Sequence, residues 1–149
     1  MSESGQLHYL HLVPGQALPL TPASEPSRVV VIVEAEVASD WQHAVCDWII
    51  AYGCRYMMAW GQDSASWDDS VDWAYLESVD FSVSDETLVM TTWHEDDTLE
   101  DLFFYCEWSA ALSVDDVELN RTLILHIADA PDEQRLLAAR TAALVTNKT

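Results

Sequence analysis

Val29-Val30-Val31-Ile32-Val33 is an unbroken run of β-branched residues with no polar position in it. A strand with one face in water alternates apolar and polar residues, whereas a strand covered on both faces does not. This run therefore belongs inside a parallel sheet with helices above and below it.

Downstream the same order repeats. Ser39-x-x-Gln42 has the form of a capping box, and the helix it opens carries Trp41, Val45, Trp48, Ile49 and Tyr52 on one stripe, closed by Gly53. Residues 55–60 (RYMMAW) form the next strand, and Ser66-x-x-Asp69 caps a helix facing the core through Trp67, Val71, Ala74 and Tyr75. Residues 88–94 make a third strand, which leaves through the polar His94-Glu95-Asp96-Asp97. Thr98-x-x-Asp101 caps a helix burying Leu99, Leu102, Phe103, Cys106 and Ala110. Residues 122–127 (TLILHI) make the fourth strand. Asp129-x-x-Asp132, with Pro131 in the first turn, opens a last helix through Leu136, Leu137, Ala143 and Leu144.

Four β-then-α units predict an α/β fold in three layers: a mainly parallel four-stranded sheet with four alternating helices, flavodoxin-like or Rossmann-like. By analogy, a flavodoxin-like order sets strands 29–33 and 88–94 side by side. Upstream, residues 7–13 alternate with period two and offer an extra N-terminal edge strand, while Pro14, Pro19, Pro22 and Pro26 mark an extended connector. The expected division is an extended, Pro-rich segment over 1–27 and a single α/β domain over 28–149. His8 and His11, three apart, point to opposite faces of their strand.

The chain has 149 residues, 26 Asp and Glu, and 6 Lys and Arg, for a formal charge of -20. That field repels nucleic-acid phosphates and anionic lipid, so direct nucleic-acid or membrane binding is not expected and a basic protein partner is. The seven Trp and 50% hydrophobic content argue against disorder. Cys46, Cys54 and Cys106 form no CxxC pair and read as core residues of a protein from a reducing, cytoplasmic compartment. No signal peptide or membrane-length apolar run is present.

Function is less legible. The four glycines stand at 5, 15, 53 and 61, so no phosphate-cradling GxGxxG or GxxxxGK loop exists, and GxSxG and HExxH are also missing. In an α/β sheet the loops after the strands share the edge where ligands bind, and the acidic residues gather there. Carboxylates in first helical turns, such as Asp68, Asp69, Glu100, Asp101, Asp132 and Glu133, are accounted for by the helix dipole. Glu34, Glu36, His94, Glu95, His126 and Asp129 precede the caps and are not.

Glu34, His94, Glu95, His126 and Asp129 are thus the catalytic candidates. His94, His126 and Glu95 are the metal-ligand candidates, for a divalent cation. Trp60 and Trp93, at strand ends, are expected in the core or walling a pocket. Trp73, Phe104 and Trp108 lie off the main apolar stripes and, with Asp96 and Asp97, are candidates for contact with a partner.

The strings MMAWG (57–61), WDDSVDWAYLE (67–77), TTWHED (91–96) and TLILHI (122–127) resemble a group of uncharacterised bacterial proteins of unknown function. The resemblance covers residue 29 to the last helix and implies a bacterial cytosolic domain, with no activity, cofactor or catalytic residue to carry over. Two main readings follow, with a purely structural subunit of a larger complex as a third. The first is a non-enzymatic, acidic interaction protein (an inhibitor, immunity-type or regulatory protein) that needs no cofactor and masks a basic partner, with DNA mimicry as a subcase. The second is a metal-dependent hydrolase or related enzyme at the C-terminal edge of the sheet. Self-association is left open.

Overall fold

The computed structural model describes residues 6–21, 25–84, 87–108, 110, 119 and 121–146. It contains β1 (Gln6–Leu12), β2 (Ser27–Val33), α1 (Ser39–Tyr52), β3 (Cys54–Gly61), α2 (Ser64–Ser78), β4 (Met90–His94), α3 (Leu99–Trp108), β5 (Arg121–Ile127) and α4 (Glu133–Thr146). The five strands form one sheet in the order β1-β5-β2-β3-β4, every pair parallel. This is a three-layer α/β fold of flavodoxin-like architecture with an extra edge strand. β1 is that strand.

The β-branched run fills the centre of β2, and Val29, Val30, Val31 and Ile32 are wholly buried between two cores. One core packs α1 and α2 on Val29, Val31, Met57 and Leu125. The other packs α3 and α4 on Val30, Ile32, Met58 and Ile124. From β2 the chain steps outward through β3 to β4, then returns to lay β5 on β2's other side. Because the direction reverses, a fixed crossover hand sends α3, the helix of the returning connection, to the opposite face, where α4 packs beside it.

One adjacency drawn from the flavodoxin analogy does not form: strands β2 and β4 are not neighbours. β2 neighbours β5 and β3, while β4 lies at the far edge beyond β3. Three cap expectations also change. Gln42 reaches across to Ser66 and Ser70 of α2 instead of closing a box, and the α1 N-cap is Ala38. α2 starts earlier, from Asp63 in the left-handed region (φ 54°). α4 starts after Asp132, which places Pro131 ahead of the helix and Asp129 outside it. The Thr98/Asp101 box forms as expected: Asp101 N–H donates to Thr98 Oγ1 at 3.0 Å and Thr98 N–H to Asp101 Oδ2 at 3.4 Å.

Gly53 closes α1 at φ 107°, and its N–H caps the carbonyls of Ile49 and Ile50. A Cβ there would lie 2.2 Å from the Glu25 carbonyl oxygen, so the position excludes any side chain. All three cysteines are free and buried. Burial pushes their thiols up, Cys106 to about 11 and Cys54 to about 12. They serve as small core residues. No described helix is long and apolar enough to cross a membrane.

Candidate functional site

Where β5 returns beside β2, the carboxyl ends of the two strands mark the topological switch point, the place where open α/β sheets hold ligands. Glu34 follows β2 there and His126 sits one residue from the end of β5. His126 is wholly buried, and its Nε2 lies 2.7 Å from Glu34 Oε1. Its Nδ1 lies 2.8 Å from the Tyr9 hydroxyl, which accepts the Asp132 N–H at 3.1 Å. Placing the ring proton on Nε2 satisfies every partner: Tyr9 donates to Nδ1 and Nε2–H donates to Glu34. Arg135, in the first turn of α4, pairs with Glu34 Oε1 and reaches Asp132 Oδ2 at 2.8 Å.

Electrostatics follow from this chain of bonds. Burial alone would raise the Glu34 carboxyl, but the hydrogen bonds from Arg135 and His126 outweigh it and hold the group below its ordinary value. The Tyr9 hydroxyl moves the other way, raised by burial despite the Asp132 N–H. A hydroxyl, an imidazole and a carboxylate in line have the form of a nucleophilic triad, yet a raised phenol opposes nucleophilic use. What the network does physically is fasten α4 and β1 to the switch point.

His94 belongs to a separate network. Register aligns His11, His126, Ile32, Trp60 and His94 in one row across the sheet. His94 and His126 are therefore three strand spacings apart, ~14 Å. One ion cannot take both as ligands. His94 Nδ1 pairs with Asp97 Oδ2 at 2.8 Å, Nε2 with Thr92 Oγ1 at 2.9 Å, and its ring meets Tyr105 edge-on at 4.8 Å. Trp60 Nε1–H donates to the Asp97 carbonyl at 2.7 Å, so Trp60 and His94 pin the loop after β4. Glu36, Glu95, Asp96 and Asp129 are exposed and join neither network.

Trp93 departs from the core expectation. Among the described residues β4 pairs only with β3 and is an edge strand, and Trp93 is exposed. The partner-contact candidates Trp73, Phe104 and Trp108 are exposed as well. With Phe81, these five are 39–56% exposed and are all the exposed large aromatics among the described residues. Trp73, Phe81 and Trp93 lie on α2, the turn after it and the α2-facing side of β4, while Phe104 and Trp108 lie on α3, on the opposite face of the sheet. Trp73 and Phe81 meet edge-on at 5.6 Å.

Two features lay beyond sequence reasoning. A cavity of about 500 Å³ opens by β1 and β5, lined by Leu10, Trp48, Tyr52, Arg121 and Leu123. Arg121 is occupied by Ser27 Oγ and the carbonyls of Glu25 and Tyr52, with its guanidinium 4.2 Å from the Tyr52 ring centre. Tyr9 and Arg135 carried no local signal, since their partners lie far along the chain.

The model of a family described as a domain of unknown function, DUF7684, matches residues 7–143. The chain belongs to this family. The match begins within β1 and runs into α4, so it takes in the switch point and the aromatic end alike, and it names no activity for either. No curated protein and no solved structure matches the chain.

Proposed function

We propose that this DUF7684 protein is a non-enzymatic binding protein that covers a basic surface of a partner protein with the β4 end of its sheet. The observation that carries the reading is the exposure of five large aromatics on the elements around β4: Trp73, Phe81 and Trp93 on the face that α2 covers, and Phe104 and Trp108 on α3 across the sheet. Exposed Trp residues are favoured anchors of protein interfaces, and their faces attract Arg and Lys.

Charge supports the same reading. Between Arg55 and Arg121 the sequence has no Lys or Arg, while Asp72, Glu77, Asp80, Glu95, Asp96 and Glu100 accompany the aromatics. Elsewhere the arginines are engaged within the fold: Arg28 with the carbonyls of Cys106 and Leu119, Arg135 with Glu34, and Arg140 with Glu107. An acidic surface with aromatic anchors meets a basic partner quickly and loses it as salt rises. The test is capture from a host lysate at low and high salt, with Trp93→Ala/Trp108→Ala beside the parent. Basic proteins held at low salt and lost with the variant support the proposal, and equal capture by both proteins refutes it.

The metal-enzyme reading draws on the Glu34–His126 pair. It would place an ion beside a carboxylate whose Oε1 is already held by Arg135 and His126, and it requires His126 to give up one of two engaged nitrogens. Saturable metal binding abolished by Glu34→Gln would favour it over the interaction reading.

A further inference from the structure

Asp68 and Asp72 are one turn apart on α2, on the side facing β4, with Asp69 beside them at the solvent margin. One carboxylate oxygen from each of the three lies within 4.8 Å of the other two. Thr91 of β4 reaches the same place from the sheet, its Oγ1 3.2 Å from Asp68 Oδ1 and 2.8 Å from Asp72 Oδ1. A hydroxyl has one proton, so it serves one of these oxygens fully and leaves the other short.

A separate observation points to a missing ligand. Asp68 is 5% exposed, and its Oδ2 is buried with no hydrogen-bond partner among the described residues. Ser64 Oγ, one turn earlier on the same stripe of α2, is buried and unpartnered as well. No ion pair reaches Asp68, Asp69 or Asp72 among the described residues. A buried carboxylate oxygen without a donor is costly, and a second carboxylate beside it adds to the cost. Such an arrangement is relieved by a proton held between Asp68 and Asp72 or by a cation, and only the cation also draws in Asp69 and Thr91.

We propose that Asp68, Asp69, Asp72 and Thr91 form a binding site for one hard divalent cation of the Ca²⁺, Mg²⁺ and Mn²⁺ class. The donors are all oxygen, which suits these ions and disfavours zinc or copper. Oxygens on opposite sides of Ca²⁺ are ~4.6–5.2 Å apart and those across Mg²⁺ ~4.0–4.2 Å, so separations within 4.8 Å suit Ca²⁺ as they stand, and Mg²⁺ where the carboxylates draw in to its shorter span. Asp68 is the inner ligand, Asp72 and Thr91 flank it, and Asp69 closes the solvent side, where water completes the shell. The bound ion would tie α2 to the edge strand β4.

The experiment is calorimetric titration of the metal-stripped full chain with CaCl₂, MgCl₂ and MnCl₂ in separate runs. Asp68→Asn, Asp72→Asn and, as a control on the same acidic surface, Asp40→Asn are titrated alongside. Each variant is first melted without metal to establish that it folds, and Asp68→Asn should be at least as stable as the parent there. The expected result is one saturable site for at least one of the three ions, weakened about tenfold or more in Asp68→Asn and Asp72→Asn and unchanged in Asp40→Asn. The run that saturates at the lowest concentration identifies the ion. Absence of a saturable site, or equal weakening in Asp40→Asn, would show diffuse screening and overturn the proposal. Glu34→Gln is titrated in the same way, and loss of the site there with retention in Asp68→Asn would place the ion at the switch point and overturn the proposal too.

Discussion

His126 Nε2 lies 2.7 Å from Glu34 Oε1, two residues 92 positions apart that meet where the strand order reverses. The contact fixes the tautomer of a wholly buried imidazole, and the Tyr9 hydroxyl holds its other nitrogen. Removing either partner leaves a buried polar atom unpaired.

Tyr9→Phe keeps the ring in place and removes only the hydroxyl. Nδ1 of His126 then loses its donor, and the Asp132 N–H its acceptor. The expected cost is about 1–3 kcal/mol, seen as a lower urea midpoint with an unchanged slope. An unchanged midpoint would mean that the chain of bonds does not fasten α4.

Acid should undo the Glu34 contribution. Its carboxyl is held below the ordinary value near 4.5 by Arg135 and His126, against burial. A carboxyl lowered on folding adds stability above its unfolded value and loses it as pH falls through the folded one. The stability gap between the parent and Glu34→Gln, measured by urea unfolding, should therefore be present at neutral pH and close in acid. A gap that persists well below the carboxylate range would contradict the pairing.

Two glycines separate strain from collision. Gly15 (φ 87°) has nothing within 4 Å of an added Cβ, whereas Gly53 (φ 107°) would set one 2.2 Å from Glu25 O. Gly15→Ala should cost about 1–2 kcal/mol for the backbone alone. Gly53→Ala should cost more than about 3 kcal/mol, because the start of β2 must also shift. Equal losses in thermal unfolding would refute the close approach.

The fold was legible because burial leaves a local mark. The all-apolar run at Val29–Val33 and the stripes of α1 and α2 are consequences of two-sided packing, and Gly53 marks a left-handed cap. Strand order was not legible, because the direction in which a crossover turns leaves no mark in the strands themselves. Trp93 shows the result: the same residue is core in a central strand and exposed at an edge. The caps failed where a side chain found a better partner across the fold, as Gln42 did in Ser66 and Ser70. Of the site candidates, Glu34 and His126 meet and His94 stands apart. Tyr9, Arg135 and the Thr91 bridge between Asp68 and Asp72 depend on contacts between distant segments.

The central claim, that the β4 end is a docking face, is tested most directly by comparing the parent with Trp93→Ala/Trp108→Ala in capture from host lysate at low and high salt. Both side chains are half-exposed, so the variant should unfold at the parent's temperature and differ only in what it holds. The account predicts that the parent retains a basic protein at low salt, releases it at high salt, and that the variant fails to retain it. Retention of the same proteins by parent and variant, at either salt, would contradict it.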